Sequence, residues 1–458
     1  MNRSCKSGTL KNPKWILNKS SYNRLSGTRK MDKFDVIIVG AGLAGLGAAY
    51  TLAGSGLEVL VLERGDYPGA KNVSGGRLYL NPIRDLYPGL FENAPLERFI
   101  THEGISLMAK ERSVHFDYSG NELREEPHQS YSILRSKFDR WFSERVEEKG
   151  AAVLAKIKVD DVIKEDGKIA GVLAGGDELK ADVVITCDGV LSLISEKAGL
   201  RVPGSAHDFA VGVKEVISMD SGVINDRFNL DGDEGAARLF VGEITRGKFG
   251  GGFLYTNRES LSLGLVLGIQ DAAGDKAAIE VPALLEEFKE RPEIVPLIKG
   301  GSTVEYSAHV IPEGGFKALG SLYGNGILVA GDAAGLALNI GFTVRGMEYA
   351  LASGCYAART VLEAKKKGGV NAENLGMYKR FLEESFVLKD FGNFRETPAV
   401  VSNPRFFNHY PELVGNLMKD IYAIPAGPKE RIYPTLRKYL TLGELWAELK
   451  DLRGVTKI

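Results

Sequence analysis

The sequence predicts an α/β protein: a Rossmann-like dinucleotide-binding domain with an inserted β-rich substrate domain and a helical C-terminal region. Three observations carry that prediction. A β-branched run at 36–39 closes on Gly40-x-Gly42-x-x-Gly45. An acidic residue, Glu63, stands about 20 residues further on. Two later strand-to-glycine turns follow, at 187–189 and 331–332.

The run 36–39 is short, continuous and β-branched, as expected of a strand buried on both faces of a parallel sheet. Gly40 permits a tight turn, Gly42 lets a pyrophosphate approach the backbone, and Gly45 allows close helix–strand packing. The Ala-rich run 44–53 reads as a helix that Gly54 and Gly56 end. Its N-terminal amides and dipole face a phosphate, so Ala41, Leu43 and Ala44 join the three glycines as cofactor-binding candidates. A second strand over 58–62 delivers Glu63 to its C-terminal end, with Arg64 beside it. A carboxylate there accepts hydrogen bonds from ribose hydroxyls and repels a phosphorylated ribose, so the site suits FAD or NAD rather than NADP.

The 458 residues suffice for two or three domains and a large core. With 44% hydrophobic and 26% charged residues the composition is that of a globular protein, and no apolar run reaches the ~18–20 residues of a membrane-spanning helix. A formal net charge of −1 gives no global field toward nucleic acid, which is not expected as a partner. The three cysteines, Cys5, Cys187 and Cys355, contain no C-x-x-C and fall short of the four thiolates of a common iron–sulfur cluster. The six histidines are scattered without metal-ligand spacing, so no metal site is expected.

Along the chain, residues 1–30 form a basic leader with eight Lys or Arg and no acid. A disordered extension, or an upstream start with Met31 as initiator, fits better than a transit peptide, because Met31 sits just before the first strand. Residues 31–204 read as the first part of the nucleotide-binding domain. Within it, 66–82 is a polar, glycine-rich loop in which Ser74, Gly75, Gly76 and Arg77 approach a flavin ring. Strands are expected across 105–118. A helix follows with the apolar stripe Phe138, Trp141, Phe142 and Val146, and Arg135 just ahead of it is a candidate phosphate ligand. Short strands alternate over 151–186, and the last runs into Cys187-Asp188-Gly189. Strand-like runs dominate 205–315, interrupted by one helix over 281–289. This is the inserted β-rich layer. The nucleotide domain resumes over 316–370, where a buried strand at 327–330 ends at Gly331-Asp332. Asp332 is placed to hydrogen-bond a sugar-like chain. Asn339, Gly341 and Gly346 then precede a long helix over 346–363. Residues 371–458 are aromatic and basic and read as a partner-docking region.

The order of these signals resembles the FAD-binding fold, of glutathione-reductase-2 type, shared by p-hydroxybenzoate hydroxylase, geranylgeranyl reductases and electron-transferring-flavoprotein:quinone oxidoreductases. The resemblance implies FAD as cofactor. It implies that Asp332 holds the ribityl chain, that Arg135 in Leu-Arg-Ser-Lys-Phe-Asp-Arg-Trp contacts FAD, and that Val159, taken to end a strand, gives an adenine-side backbone contact. It also places Asp188, Gly189, Gly331 and Gly341 at the cofactor. The match sharpens to the FixC branch in Lys71-Asn-Val-Ser-Gly-Gly-Arg-Leu-Tyr, in Gly251-Gly-Phe-Leu-Tyr-Thr-Asn-Arg-Glu-Ser-Leu-Ser-Leu-Gly, in His309-Val-Ile-Pro-Glu-Gly-Gly and in Gly331-Asp-Ala-Ala-Gly-Leu-Ala-Leu-Asn. It covers about residues 31–458.

What the resemblance implies about function is electron transfer from an electron transfer flavoprotein pair (FixA/FixB or EtfA/EtfB type) through FAD to a quinone. The FAD carries the chemistry and no side chain serves as nucleophile. The three dispersed cysteines supply no cluster module, so a separate ferredoxin-like subunit of FixX type is expected. The protein would be cytoplasmic or peripheral on the inner face of the cytoplasmic membrane. Quinone would enter an apolar channel under the 205–315 layer; Phe249, Phe253, Leu254 and Tyr255, or Phe406 and Phe407, are candidates to dip into lipid, with plain core packing the better expectation for any single one of them. The competing readings are a geranylgeranyl reductase-like enzyme, an FAD-dependent monooxygenase, and an electron relay with no substrate of its own. The first is weakened by the lack of a Tyr-x-Trp-x-Phe-Pro signature. A single dinucleotide fingerprint argues against a dedicated nicotinamide domain.

Overall fold

A computed structural model describes residues 33–72, 75–201, 204–274, 278–439 and 442–456. The leader 1–30, with Cys5, and Ser74 lie outside the described residues. The first strand, β1 (Phe34–Val39), forms where expected, with Val36, Ile37 and Ile38 wholly buried. Helix α1 (Leu43–Leu52) and β2 (Val59–Leu62) follow. Further on come β3 (Gly76–Tyr79), β4 (Leu96–Met108), β5 (Ser113–Ser119), β6 (Ser130–Ile133), helix α2 (Arg135–Glu148) and β7 (Ala152–Leu154). A meander of β8 (Val159–Glu165), β9 (Lys168–Ala174) and β10 (Asp177–Thr186) leads into β11 (Phe209–Ser218), β12 (Glu234–Gly242), β13 (Gly250–Thr256) and β14 (Ser260–Gly268). After helix α3 (Val281–Lys289) come β15 (Ser302–Pro312), β16 (Tyr323–Gly324), β17 (Ile327–Val329), β18 (Leu338–Asn339), β19 (Val344–Arg345) and the long helix α4 (Met347–Lys366).

Among the described residues the nucleotide layer is an eight-stranded sheet ordered β16-β17-β10-β1-β2-β7, with β8 and β9 attached through β10. The five strands β17, β10, β1, β2 and β7 run parallel. The register pairs Val39 with both Leu62 and Thr186, and Thr186 with Val329. Four strand ends therefore finish level, and the residues after them share one crevice at the carboxyl edge of the sheet.

Small residues let two helices cover this sheet at close range. A Cβ on Gly354 of α4 would lie 2.1 Å from the Ala44 carbonyl oxygen of α1, so the helices meet backbone to backbone. The Tyr87 hydroxyl, beside Gly47, donates to the Leu351 carbonyl at 2.6 Å and ties the preceding loop to α4. Phe138, Phe142 and Val146 of α2 are fully buried, as the stripe predicts. Each adds on the order of 1.5–3 kcal/mol by leaving water.

The second layer is a nine-stranded sheet ordered β15-β11-β14-β13-β12-β4-β6-β3, with β5 on β4. Leu284, Leu285 and Phe288 of α3 pack on it beside Leu263 and Leu265. It draws strands from outside 205–315, and part of the loop expected over 66–82 is its edge strand β3. The reason is pairing at long range. Tyr79 sits opposite Ser130, and β4 pairs in parallel with β12, Ile105 opposite Leu239. A four-residue strand whose partner is 50 residues away has no local signature. Val159 begins β8 instead of ending a strand, because the chain leaves the sheet edge after β7 and re-enters at 159.

The region after 371 is helical, with Phe391 fully buried against Tyr349 of α4 at a ring separation of 5.4 Å. Leu254 and Phe407 are buried, and Phe249, Phe253, Tyr255 and Phe406 are partly covered. Of the six groups named as candidates to dip into lipid, Leu254 and Phe407 are packed inside the protein and the other four are half-buried, as plain core packing predicts for most of them. The reason is packing between elements. Phe249 meets Phe407 edge-on at 5.8 Å, closing the second sheet against the C-terminal segment. No helix among the described residues is long and apolar enough to cross a membrane.

Gly354→Ala forces α1 and α4 apart and should lower stability by about 1–3 kcal/mol. The check is the denaturation midpoint of the cofactor-loaded protein, and an unchanged midpoint would contradict the backbone contact.

Candidate functional site

The crevice opens into a cavity of about 730 Å³ between the parallel sheet and the second sheet, within the usual range for a cofactor or ligand pocket. Gly40, Gly42, Leu43, Ala44, Glu63, Arg64, Gly75, Gly76, Arg77, Arg135, Val159, Asp188, Gly189, Gly331, Asp332 and Gly341 all line it. Ala41 and Gly45 do not, and both act one step back. A Cβ on Gly45 would sit 1.9 Å from the Gly40 carbonyl oxygen, so this glycine lets α1 seat on the strand. The Ala41 amide donates to Glu63 Oε2 at 2.9 Å.

At the fingerprint, Gly40 has φ +98°, and a Cβ there would strike the Cys187 carbonyl at 2.3 Å. Gly42 caps α1 with no side-chain bond to the free amides of the first turn. A Cβ on Gly42 would meet only Arg135 Nη2 at 3.9 Å and Asn72 Nδ2 at 4.0 Å. Free amides, a vacant glycine face and two side-chain donors form a cradle for a phosphate. Asp139 arranges the donors: its carboxylate takes Arg135 Nε and Nη2 at 2.8 and 2.7 Å and Asn72 Nδ2 at 2.6 Å. Burial works against the Arg135 charge, but Asp139 outweighs it and holds the guanidinium above its ordinary value.

Glu63 is oriented by the Ala41 and Gly65 amides, the latter at 2.6 Å. Each oxygen keeps a second acceptor position for a ribose hydroxyl. Ile157, Lys158 and Val159 line the cavity at the start of β8. In the next turn, Asp188 Oδ2 accepts the Ile194 amide at 2.9 Å, while Oδ1 is buried without a partner. That orphan acceptor beside Gly189, whose φ is +80°, fits a bound hydroxyl or ring N–H.

Asp332 follows β17. Burial pushes its carboxyl up, and His309, Arg135 and Arg201 pull it back down. Arg201 Nη1 bonds the Ser192 hydroxyl at 2.6 Å and the Ala333 carbonyl at 2.7 Å, locking the 189–192 turn to the 331–333 turn. On the opposite wall the Gly75 carbonyl accepts Lys214 Nζ at 2.9 Å. Lys214 is buried with no carboxylate in ion-pair contact among the described residues, and burial pushes its ammonium down to about 7. Arg77 lines the cavity, yet its guanidinium is committed to both oxygens of Glu103 and to Ser130 Oγ. The remaining wall is apolar, with Val211, Phe249, Phe253, Val266, Val401 and Phe407.

Four contributors escaped the sequence reading as site residues: Asn72, Asp139, Arg201 and Lys214. Asp139 had a spacing signal, standing four residues after Arg135 on one helix face, and Asn72 stood inside a motif that resembles FixC. The cysteines belong to the scaffold. Burial raises both Cys187 and Cys355 thiols, so neither is a reactive thiolate.

A family model described as FAD binding domain matches residues 33–224. The chain is 48% identical over 426 residues to Protein FixC of Escherichia coli K12, covering 93% of this chain and 99% of that one. It is 45% identical over 428 residues, with the same coverage, to the "Probable electron transfer flavoprotein-quinone oxidoreductase YdiS" of the same organism. Among solved structures, a geranylgeranyl bacteriochlorophyll reductase-like protein from Thermoplasma acidophilum superposes with TM-score 0.68 at 21% identity, over 92% of this chain and 100% of that one. That last likeness concerns the fold alone.

Gly42→Val fills the cradle and should yield folded protein almost devoid of FAD. Asp139→Ala frees Arg135 and Asn72 and should weaken FAD about tenfold or more. Flavin absorbance per protein after desalting, with circular dichroism as the folding control, reads both. Full loading of Gly42→Val would remove the phosphate assignment.

Proposed function

The chain belongs to the FixC family and is an FAD-dependent oxidoreductase, and on that basis we propose that it takes electrons from an electron transfer flavoprotein and delivers them to a quinone. The observation that carries the proposal is the make-up of the cavity. One wall consists of the glycine turns and polar groups suited to FAD. The facing wall is apolar, from Phe249 and Phe253 to Val401 and Phe407, and suits a quinone ring and its hydrocarbon chain.

The residues divide the work as follows. The first-turn amides of α1, with Arg135 held by Asp139, meet the pyrophosphate, Glu63 the ribose, and Asp332 the ribityl chain. Val159 supplies the adenine-side contact. Gly75 and Gly76 bring backbone close to the ring, and Lys214 holds that turn in place. Asp188, Gly189 and Gly341 complete the enclosure. FAD, when bound, supplies a centre that accepts and donates electrons singly or in pairs. The chain's own part is to hold that centre, exclude water and present an acceptor site.

The donor is an electron transfer flavoprotein of the FixA/FixB type, docking on the C-terminal region 371–458. Exposed Tyr422, Ile424, Ile432 and Tyr433 support that choice of surface. Three cysteines are too few for a four-thiolate cluster, so a ferredoxin-like subunit of FixX type carries iron–sulfur clusters in this scheme. The protein works peripherally on the inner face of the cytoplasmic membrane, where quinone is found.

Rapid mixing tests the proposal. FAD-loaded protein combined with reduced electron transfer flavoprotein should lose its flavin absorbance, and a short-chain menaquinone analogue should restore it. Bleaching by NADPH with no response to either partner would replace the quinone reading with a hydroxylase-like one.

A further inference from the structure

Within the cavity wall stands one acid to which cofactor binding gives no role. Glu313 directly follows β15 and lines the cavity. Its backbone amide is pinned to the Asp208 carbonyl at 2.7 Å. Its Oε2 accepts Asn339 Nδ2 at 3.3 Å, and no cationic side chain pairs with it among the described residues. Asn339 is itself fixed, because its Oδ1 accepts the Gly341 amide at 2.9 Å. Val401 lies 3.8 Å from where a Gly341 Cβ would stand, and Val401 lines the cavity together with the Phe249–Phe407 pair. Glu313 is thus a carboxyl beside the apolar wall. Other charged groups nearby are engaged. The Asp208 carboxylate takes the Ser205 amide and hydroxyl, Arg345 pairs with Glu348 and Asp390, and His309, four residues back, faces Asp332 and Arg135.

We propose that Glu313 is the proton donor to the quinone, with Asn339 as its positioning residue. This rests on the quinone reading above. Quinone reduction needs two electrons and two protons. Both electrons and one proton come from the reduced FAD. The second proton leaves the Glu313 carboxyl as a quinol O–H forms, and the resulting carboxylate is reprotonated from solvent. The environment suits the task. Burial without a counter-charge pushes Glu313 up to about 7, offset in part by the Asn339 bond, so the donor is protonated near neutral pH.

The test uses the FAD-loaded wild type, Glu313→Gln and Asn339→Ala, each reduced chemically and mixed with either a short-chain menaquinone analogue or ferricenium, an acceptor that takes no proton. The wild-type quinone rate should fall as pH rises through about 7, since only the protonated carboxyl donates. Glu313→Gln should keep its flavin spectrum and its ferricenium rate, while its quinone rate drops about 100-fold or more and loses that pH dependence. Asn339→Ala removes the bond that favours the carboxylate, and should move the midpoint upward. Quinone rates and pH profiles equal to wild type in Glu313→Gln would overturn the proposal. An unmoved midpoint in Asn339→Ala removes the positioning role, and decides that part even if Glu313→Gln fails to fold. A wild type that ferricenium reoxidises and quinone does not would overturn the quinone reading itself, and this proposal with it.

Discussion

The common register of β2, β1, β10 and β17 is the constraint on which the site depends. Backbone hydrogen bonds pair Leu62, Val39, Thr186 and Val329 across the sheet, so Glu63, Gly40, Asp188 and Gly331 emerge side by side although nearly 300 residues separate the first from the last. A one-residue slip of β10 would exchange its two buried faces and carry the Asp188 turn away from Gly40. Binding residues are thereby placed by sheet geometry and only afterward refined by side chains, of which Arg201 and Asp139 are the clearest cases.

Much of the nucleotide half was legible because its signals are local. The β1–α1–β2 unit, Glu63, and Asp332 at a strand end all follow from patterns within a few dozen residues. The less legible features share one property, dependence on a distant partner. β3 exists through β6, Arg201 matters through Ala333, and Asn72 acts through Asp139. Arg77 looked free for a flavin until Glu103 claimed its guanidinium. Phe249 and Phe407, two of the candidates for lipid contact, meet each other where the second sheet closes against the C-terminal segment. Glu313 was visible as part of a recognisable motif, but its chemistry comes from enclosure, which no spacing encodes.

Electrostatics divides the cavity into two regimes. Around the fingerprint Arg135 and Asp139 form a matched pair, and the burial that raises Asp332 is partly offset by His309, Arg135 and Arg201. Toward the second sheet, Lys214 and Glu313 have no ion-pair partner among the described residues, and burial drives their protonation equilibria toward neutrality from opposite sides. Matched charges hold a fixed anion, whereas unmatched titratable groups respond to a change of charge next to them. The arrangement suits a site that keeps its cofactor permanently and exchanges its substrate.

The contact between Ala44 and Gly354 has a consequence for biosynthesis. Two helices that must touch to close the cofactor crevice lie about 310 residues apart in the chain. At a translation rate of about 5–20 residues per second, the fingerprint waits roughly 15–60 s on the ribosome before its partner helix exists. β2 and β10 can pair with β1 well within that interval, but the face of α1 that receives Gly354 stays uncovered until α4 is made.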